Sequence, residues 1–110
     1  MDESRARALL QAERDEVATL LRETEEAARL DDQVPDSPTD YGDAALPLTE
    51  EANDEAVAAQ LRDRLAAIDR ALARLEAGTY GRSVLSGKPI PDQRLEADPA
   101  AELTIEEARG

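Results

Sequence analysis

The chain has 110 residues and a formal net charge of −13, from 26 acidic and 13 basic residues, and it contains no cysteine and no histidine. The usual ligands of zinc, iron–sulfur and disulfide sites are therefore missing, so neither a structural metal nor a cofactor is expected. The acidic surface would repel phosphate backbones, which argues against direct binding of DNA or RNA.

The apolar residues suit helix pairing better than a thick globular core. The aromatic residues are two tyrosines, so a core must be built from Leu, Ile, Val and Ala. The apolar runs are too short to span a membrane, and the N-terminal sequence lacks the apolar stretch of a signal peptide. We expect a protein of the cytoplasm with no membrane contact.

Two amphipathic segments predict a long antiparallel helical hairpin. The first helix is expected from about Glu3 to Leu30, although Glu13 and Thr24 interrupt its apolar seam. The second is expected from about Thr49, as its N-cap, to Glu76. Its seam has the heptad spacing of one helix lying along another. The seam residues are Ala58, Leu61, Leu65, Ile68, Leu72 and Leu75.

The prediction is therefore an all-α protein in two parts. Residues 1–77 form the hairpin, or coiled coil, with an acidic tip loop at about 31–47. Residues 78–110 form a small C-terminal module that starts at Gly78, a helix terminator. The module should contain a short hairpin, a short helix with Pro91 at its first position, and a terminal helix that opens on a capping box between Thr104 and Glu107.

Four motifs in the module match a known zinc finger. They are Gly78-Thr79-Tyr80-Gly81, Pro89-Ile90-Pro91, Arg94-Leu95-Glu96-Ala97 and Leu103-x-Ile105-Glu106. They closely resemble the C-terminal finger of the DksA/TraR family, bacterial regulators that bind RNA polymerase.

The resemblance places the family's four cysteine ligands on residues that are not cysteines. These former zinc-ligand positions are Ser83, Ser86, Thr104 and Glu107. The module is thus expected to be finger-derived, to bind no metal, and to be organised by packing of its apolar residues. Those residues are Val84, Leu85, Ile90, Leu95, Leu103 and Ile105.

The same register, followed back without a gap, reaches the hairpin tip. It places the family's Asp-x-x-Asp-x-Ala pattern on Asp40, Asp43 and Ala45. The resemblance implies that this tip enters the secondary channel of RNA polymerase, while the module and terminal helix dock on the rim. Carboxylates there could approach the catalytic magnesium or basic loops and perturb initiation.

Dependence on ppGpp is not expected. In the same register, two of the basic positions that the family uses for ppGpp are Gln60 and Ala67, neither of which is basic. The arginines of the second helix are interpreted as solvated flanks of the heptad that pair with nearby acids. They are Arg62, Arg64, Arg70 and Arg74.

Two functions remain open, and neither is enzymatic, because Ser83 and Ser86 have no histidine partner and no phosphate-binding loop is present. The first is a DksA/TraR-like regulator that modulates initiation through RNA polymerase without binding DNA. The alternative is a coiled-coil assembly module in which the Leu61–Leu75 seam pairs between chains. An intramolecular hairpin predicts a monomer, and an exposed seam predicts a dimer.

Overall fold

The chain folds into a long helical hairpin with a small module at its base. A computed structural model describes the backbone over residues 1–33 and 45–110, and the side chains over residues 1–29 and 53–110. The helices of these ranges are α1 (Glu3–Gln33), α2 (Ala45–Ala77), α3 (Asp92–Ala97) and α4 (Ile105–Ala108). The molecule is elongated, with principal extents of 59 × 29 × 19 Å. The predicted all-α hairpin is confirmed.

Both long helices run further toward the tip than the sequence pattern predicted. α1 continues past Leu30, and α2 begins before Thr49, which therefore is not the N-cap. Pro47 lies in the first turn of α2. Proline is tolerated there because the first N–H groups of a helix have no intrahelical acceptor to lose.

The core is a narrow apolar layer between α1 and α2. Leu10 and Ile68 are fully buried at its centre, and Ala100 from the module closes the layer at the base of the hairpin. The heptad seam of α2 is thus used within the chain, as predicted for a hairpin. The buried residues of this layer are Ala6, Leu10, Val17, Ile68, Ala71, Leu75 and Ala100.

α2 ends at the predicted glycine. Gly78 has a φ of +78°, a left-handed conformation that glycine adopts without a Cβ penalty. The N–H of Thr79 donates to the carbonyl of Arg74 at 2.9 Å, which is the Schellman arrangement at a helix C-terminus. The chain then reverses through a tight turn closed by an antiparallel bridge between Arg82 and Pro89.

The module has its own small core, but not all of the predicted residues form it. Ile90 and Leu95 are buried together with Ala101. The prediction that Val84, Leu85 and Ile105 help to organise the module by packing is wrong, because 54%, 73% and 41% of their respective surfaces are exposed. Val84 and Leu85 occupy the tip of the tight turn, and Ile105 begins the short α4. These three residues therefore lie outside the small core of the module.

Truncation of a buried leucine should separate core packing from surface effects. Leu10→Ala should lower the free energy of unfolding by about 2–5 kcal/mol, because Leu10 is fully buried and its loss leaves a cavity. Leu20→Ala is the matched control on the same helix, since Leu20 is 46% exposed. It should cost less than about 1 kcal/mol. Urea denaturation measures both, and equal losses would contradict the packing described.

Candidate functional site

The end of the hairpin where the sequence predicts the tip is remote from the module. Arg5, near the start of α1, contacts Glu96 of α3, and α1 extends about 42 Å beyond that contact at 1.5 Å per residue. Asp40 and Asp43 lie outside the described residues. Ala45 is the first residue of α2, and its side chain is also outside the description.

A ladder of ion pairs connects the two long helices along their length. As the residue numbers of the paired side chains rise on α1, those of their partners on α2 fall, as expected for antiparallel helices. Exposed pairs of this kind contribute little stability each. The pairs are Arg7–Glu76 at 2.6 Å, Arg14–Asp69 at 2.7 Å and Arg62–Glu25 at 3.1 Å.

Arg64 joins all three parts of the fold. Its guanidinium forms a two-pronged pair with the carboxylate of Glu13 on α1, and its Nη2 atom also lies 2.8 Å from Oδ1 of Asp98, which follows α3. The hydrogen bond with Glu13 is the main reason that the pKa of Arg64 is raised. This contact explains why the apolar seam of α1 tolerates Glu13.

Further contacts fasten the module to the base of the hairpin. Arg70 and Arg74 of α2 both pair with Glu102, at 2.9 and 3.3 Å. The hydrogen bond from Arg70 is the largest cause of the lowered pKa of the Glu102 carboxyl. Within the module, the Tyr80 hydroxyl donates to the carbonyl of Pro99 at 2.8 Å, and burial raises the pKa of Tyr80.

The four former zinc-ligand positions come together beside α4. The predicted capping box is confirmed: the Thr104 N–H donates to the Glu107 carboxylate at 3.0 Å, and the Glu107 N–H donates to the Thr104 hydroxyl at 3.3 Å. The hydroxyls of Ser83 and Ser86 also lower the pKa of the Glu107 carboxylate. The structure thus unites two residues from the turn with two from the helix start.

Comparison of the sequence with known proteins identifies bacterial relatives of this chain. No protein-family model matches the chain. The chain is 36% identical over 83 residues to general stress protein 16O of Bacillus subtilis, covering 76% of this chain and 49% of that protein. It is 34% identical over 98 residues to the RNA polymerase-binding transcription factor DksA of Caulobacter vibrioides, covering 89% of this chain and 61% of that protein.

Comparison of the fold with solved structures finds a relative of the same kind over almost the whole chain. The solved structure of transcription factor DksA2 from Pseudomonas aeruginosa matches with a TM-score of 0.84 and 27% sequence identity, covering 97% of this chain and 80% of that chain. The chain belongs to the DksA/TraR family. It spans about half to three fifths of the length of the two curated relatives described above.

The residues at the family's zinc positions do not fit that metal. Protein zinc sites use thiolate, imidazole and carboxylate ligands, whereas three of these four side chains offer neutral hydroxyls. The remaining one, Glu107, already accepts a hydrogen bond from the Thr104 N–H. Among the side chains that the structure describes, no group of three or more His, Cys, Asp or Glu residues is placed to hold a metal ion.

The arginines of α2 differ in part from their predicted role. They do pair with acids, but Arg64 and Arg74 are partly buried rather than fully solvated, since 32% and 14% of their side chains are exposed. Their partners lie 28 to 51 residues away in sequence, on other elements, and helical spacing cannot reveal such partners. At the two positions compared for ppGpp, Gln60 is exposed and Ala67 packs against the core.

Most of the positive charge near the hairpin is occupied by internal ion pairs. Of the 13 basic residues, seven arginines pair with carboxylates of the same chain. They are Arg5, Arg7, Arg14, Arg62, Arg64, Arg70 and Arg74. None of the helices in the described ranges is both long and apolar enough to cross a membrane.

The Arg64 contact should be the most costly of the interhelical ion pairs to remove. Arg64→Ala leaves two partly buried carboxylates without their partner and should lower the free energy of unfolding by about 1–3 kcal/mol. Arg62→Ala, in an exposed pair on the same helix, should cost about 0–1 kcal/mol. Thermal or urea unfolding of both variants tests the difference, and a cost for Arg62→Ala as large as that for Arg64→Ala would contradict it.

The Glu107 carboxylate should account for part of the stability that the protein loses at low pH. Hydrogen bonds from Ser83, Thr104 and Ser86 lower the pKa of Glu107 to about 2, from 4.5. Because the folded pKa is the lower one, the stabilisation is complete above the unfolded value and is lost as pH falls from about 4.5 to about 2. Glu107→Gln should therefore lose less stability than wild type across this window in urea titrations.

Glu106→Gln is the matched control, one residue earlier in the same turn. It should keep the acid response of the wild type in that window. Identical acid responses for Glu107→Gln and wild type would contradict the assignment.

Proposed function

We propose that this protein is a transcription regulator that binds RNA polymerase and modulates initiation without binding DNA. Membership of the DksA/TraR family supports this, as does the likeness to a Caulobacter protein described as an RNA polymerase-binding transcription factor. The observation that carries the proposal is the hairpin itself, which extends about 42 Å from its base. The family's Asp-x-x-Asp-x-Ala pattern falls on Asp40 and Asp43, between the two helices in sequence, and on Ala45, the first residue of α2.

The hairpin would act by entering the secondary channel of the polymerase. A pair of helices is narrow enough to enter a channel, and the whole molecule measures 29 × 19 Å in its two shorter dimensions. Asp40, Asp43 and Ala45 would form the tip that reaches the active centre. Carboxylates there would bind near the catalytic magnesium or pair with basic loops, and so alter the early steps of transcription.

The base of the molecule would provide most of the affinity. The module and α4 would dock on the rim of the channel, and the ion pairs of Arg64, Arg70 and Arg5 would hold the module at a fixed angle to the hairpin. Binding at the rim and action at the tip would then be separable by mutation.

The charge distribution supports a protein partner over nucleic acid. The net charge is −13, and more than half of the basic residues pair internally, so little positive potential remains to attract phosphates. A role confined to the cytoplasm and free of catalysis is part of the proposal. Independence from ppGpp is also part of it, because Gln60 and Ala67 offer no positive charge at the two positions compared.

The alternative, an assembly module that pairs through the α2 seam, receives less support. Ile68 and Leu75 of that seam are 0% and 4% exposed because α1 and the module cover them. Pairing between chains through this seam would require the hairpin to open. A monomer is therefore the proposed state.

Substitution at the tip should separate binding from regulation. Asp40→Ala/Asp43→Ala should still bind core RNA polymerase in a pulldown, with an affinity within about tenfold of wild type, because the rim contacts remain. It should lose the effect on initiation in a transcription assay with purified components. The matched control, Asp54→Ala/Glu55→Ala, removes the same charge from α2 about 13 Å from its start and should behave as wild type.

Two results would contradict the proposal at different levels. If the wild-type protein does not bind core polymerase, the proposed partner is wrong. If the Asp40→Ala/Asp43→Ala variant regulates like wild type, the tip assignment is wrong and the partner is unaffected.

A further inference from the structure

Two adjacent apolar side chains are exposed at the tip of the tight turn of the module, which comprises residues 82–88. They are Val84 and Leu85, and Leu85 is the most exposed large apolar side chain among the described residues, at 73%. Apolar residues scattered singly over a surface are ordinary, but two neighbours on one projecting turn form a patch that is unfavourable in water. The tight turn is therefore a candidate contact surface.

Hydrogen bonds fix the conformation of the tight turn. The Ser83 N–H donates to the carbonyl of Lys88 at 2.8 Å, and the Gly87 N–H donates to the carbonyl of Ser83 at 2.9 Å. The buried Ser83 hydroxyl accepts from the N–H groups of Leu85 at 3.1 Å and Ser86 at 3.2 Å. A side-chain oxygen that accepts from successive N–H groups restrains a turn as a backbone bond does. The patch is thus preorganised, so a partner that covers it has little backbone entropy to remove.

The tight turn is also anchored to the rest of the molecule. The Val84 N–H donates to the carbonyl of Glu102 at 2.9 Å, and the Ile90 N–H donates to the carbonyl of Gly81 at 2.8 Å. The side chain of Glu102 in turn pairs with Arg70 of α2. This series of contacts connects the exposed patch to the hairpin, so a partner that binds the patch also orients the hairpin.

The tight turn carries positive charge in an otherwise acidic protein. The excess of acid lies almost entirely in residues 1–77, and no acid lies between Glu76 and Asp92. Within the described residues, Arg82 and Lys88 of the turn form no ion pair with a carboxylate, and the Arg82 guanidinium lies against the turn, 3.2 Å from the carbonyl of Gly87. Arginines of the hairpin already pair with three carboxylates of the module. These carboxylates are Glu96, Asp98 and Glu102. The two cations of the turn are therefore available to a partner.

We propose that the tight turn anchors the module to RNA polymerase by fitting an apolar depression with an acidic rim. This inference rests on the proposed function and specifies the chemistry of the contact at the base of the molecule. Val84 and Leu85 would enter the depression, while Arg82 and Lys88 would face carboxylates on its rim. An apolar centre within a charged or polar rim is the usual construction of a protein interface. A phosphate backbone offers no surface for two aliphatic side chains, so the patch favours a protein over nucleic acid.

The first test truncates the most exposed side chain of the turn. Leu85→Ala should weaken binding to core RNA polymerase roughly tenfold or more in biolayer interferometry, because the interface loses the apolar surface of its anchor. The urea midpoint of the variant should match that of wild type, since Leu85 is exposed in the free protein. Leu20→Ala is the matched control, an exposed leucine of the hairpin, and should bind within about twofold of wild type.

The outcomes distinguish the anchor from the proposed function. Wild-type affinity in Leu85→Ala, or an equal loss in Leu20→Ala, would overturn the anchor and leave polymerase binding in place. Failure of the wild-type protein to bind core polymerase would overturn both.

The second test reverses one charge beside the anchor. Lys88→Glu should bind core polymerase more weakly than wild type at low salt, and the difference should shrink as salt is added, because salt screens exposed charges. Arg22→Glu makes the same change on α1 and should have a smaller effect. Equal effects of the two variants would indicate general repulsion and would overturn the acidic rim. Wild type should not bind a double-stranded DNA fragment in the same buffer. DNA binding that Lys88→Glu abolishes would assign the turn to nucleic acid and overturn the proposal.

Discussion

The packing of α1 against α2 positions every other part of this protein. With no Phe or Trp, the chain buries most of its apolar surface in a narrow aliphatic layer between the two helices, centred on Leu10 and Ile68. Arg64 sits beside this layer and neutralises Glu13, a residue that would otherwise interrupt it. Partly buried ion pairs of this kind add little net stability but penalise wrong registers, since a shift along the helix would leave charges unpaired. The register of the hairpin, and hence the place of its tip, depends on this combination.

The module shows how a small fold can replace one kind of organising centre with another. A zinc ion links four side chains through strong bonds to a single point. Here local hydrogen bonds organise the two parts of the module: the Ser83 hydroxyl accepts from two N–H groups of the turn, and Thr104 and Glu107 cap the start of α4. Individual hydrogen bonds are weaker than metal–thiolate bonds, so the module also relies on contacts with the hairpin. Leu95 packs against Tyr80 and Met1, and Arg70 and Arg74 both bind Glu102.

Local patterns predicted much of this structure, and long-range contacts did not follow from them. Heptad spacing located the seam around Ile68, and the Thr104–Glu107 box marked the start of α4, because both signals depend on residues within one or two turns. The contact between Arg64 and Asp98 could not be predicted, since it requires the position of the module relative to the hairpin. The exposure of Leu85 was missed for a related reason: apolar character favours burial, but the geometry of a tight turn overrides it.

The slender shape of the hairpin has a mechanical consequence. Its base is fixed by contacts such as Arg5–Glu96, and the far end of α1 stands about 42 Å from them. A lever of this length moves its far end by roughly 0.7 Å for each degree of rotation at the base. Small rearrangements among a few arginine–carboxylate pairs would therefore displace the remote end by the length of a hydrogen bond or more. Surface ion pairs that contribute little to stability can in this way determine the position of the far end of α1.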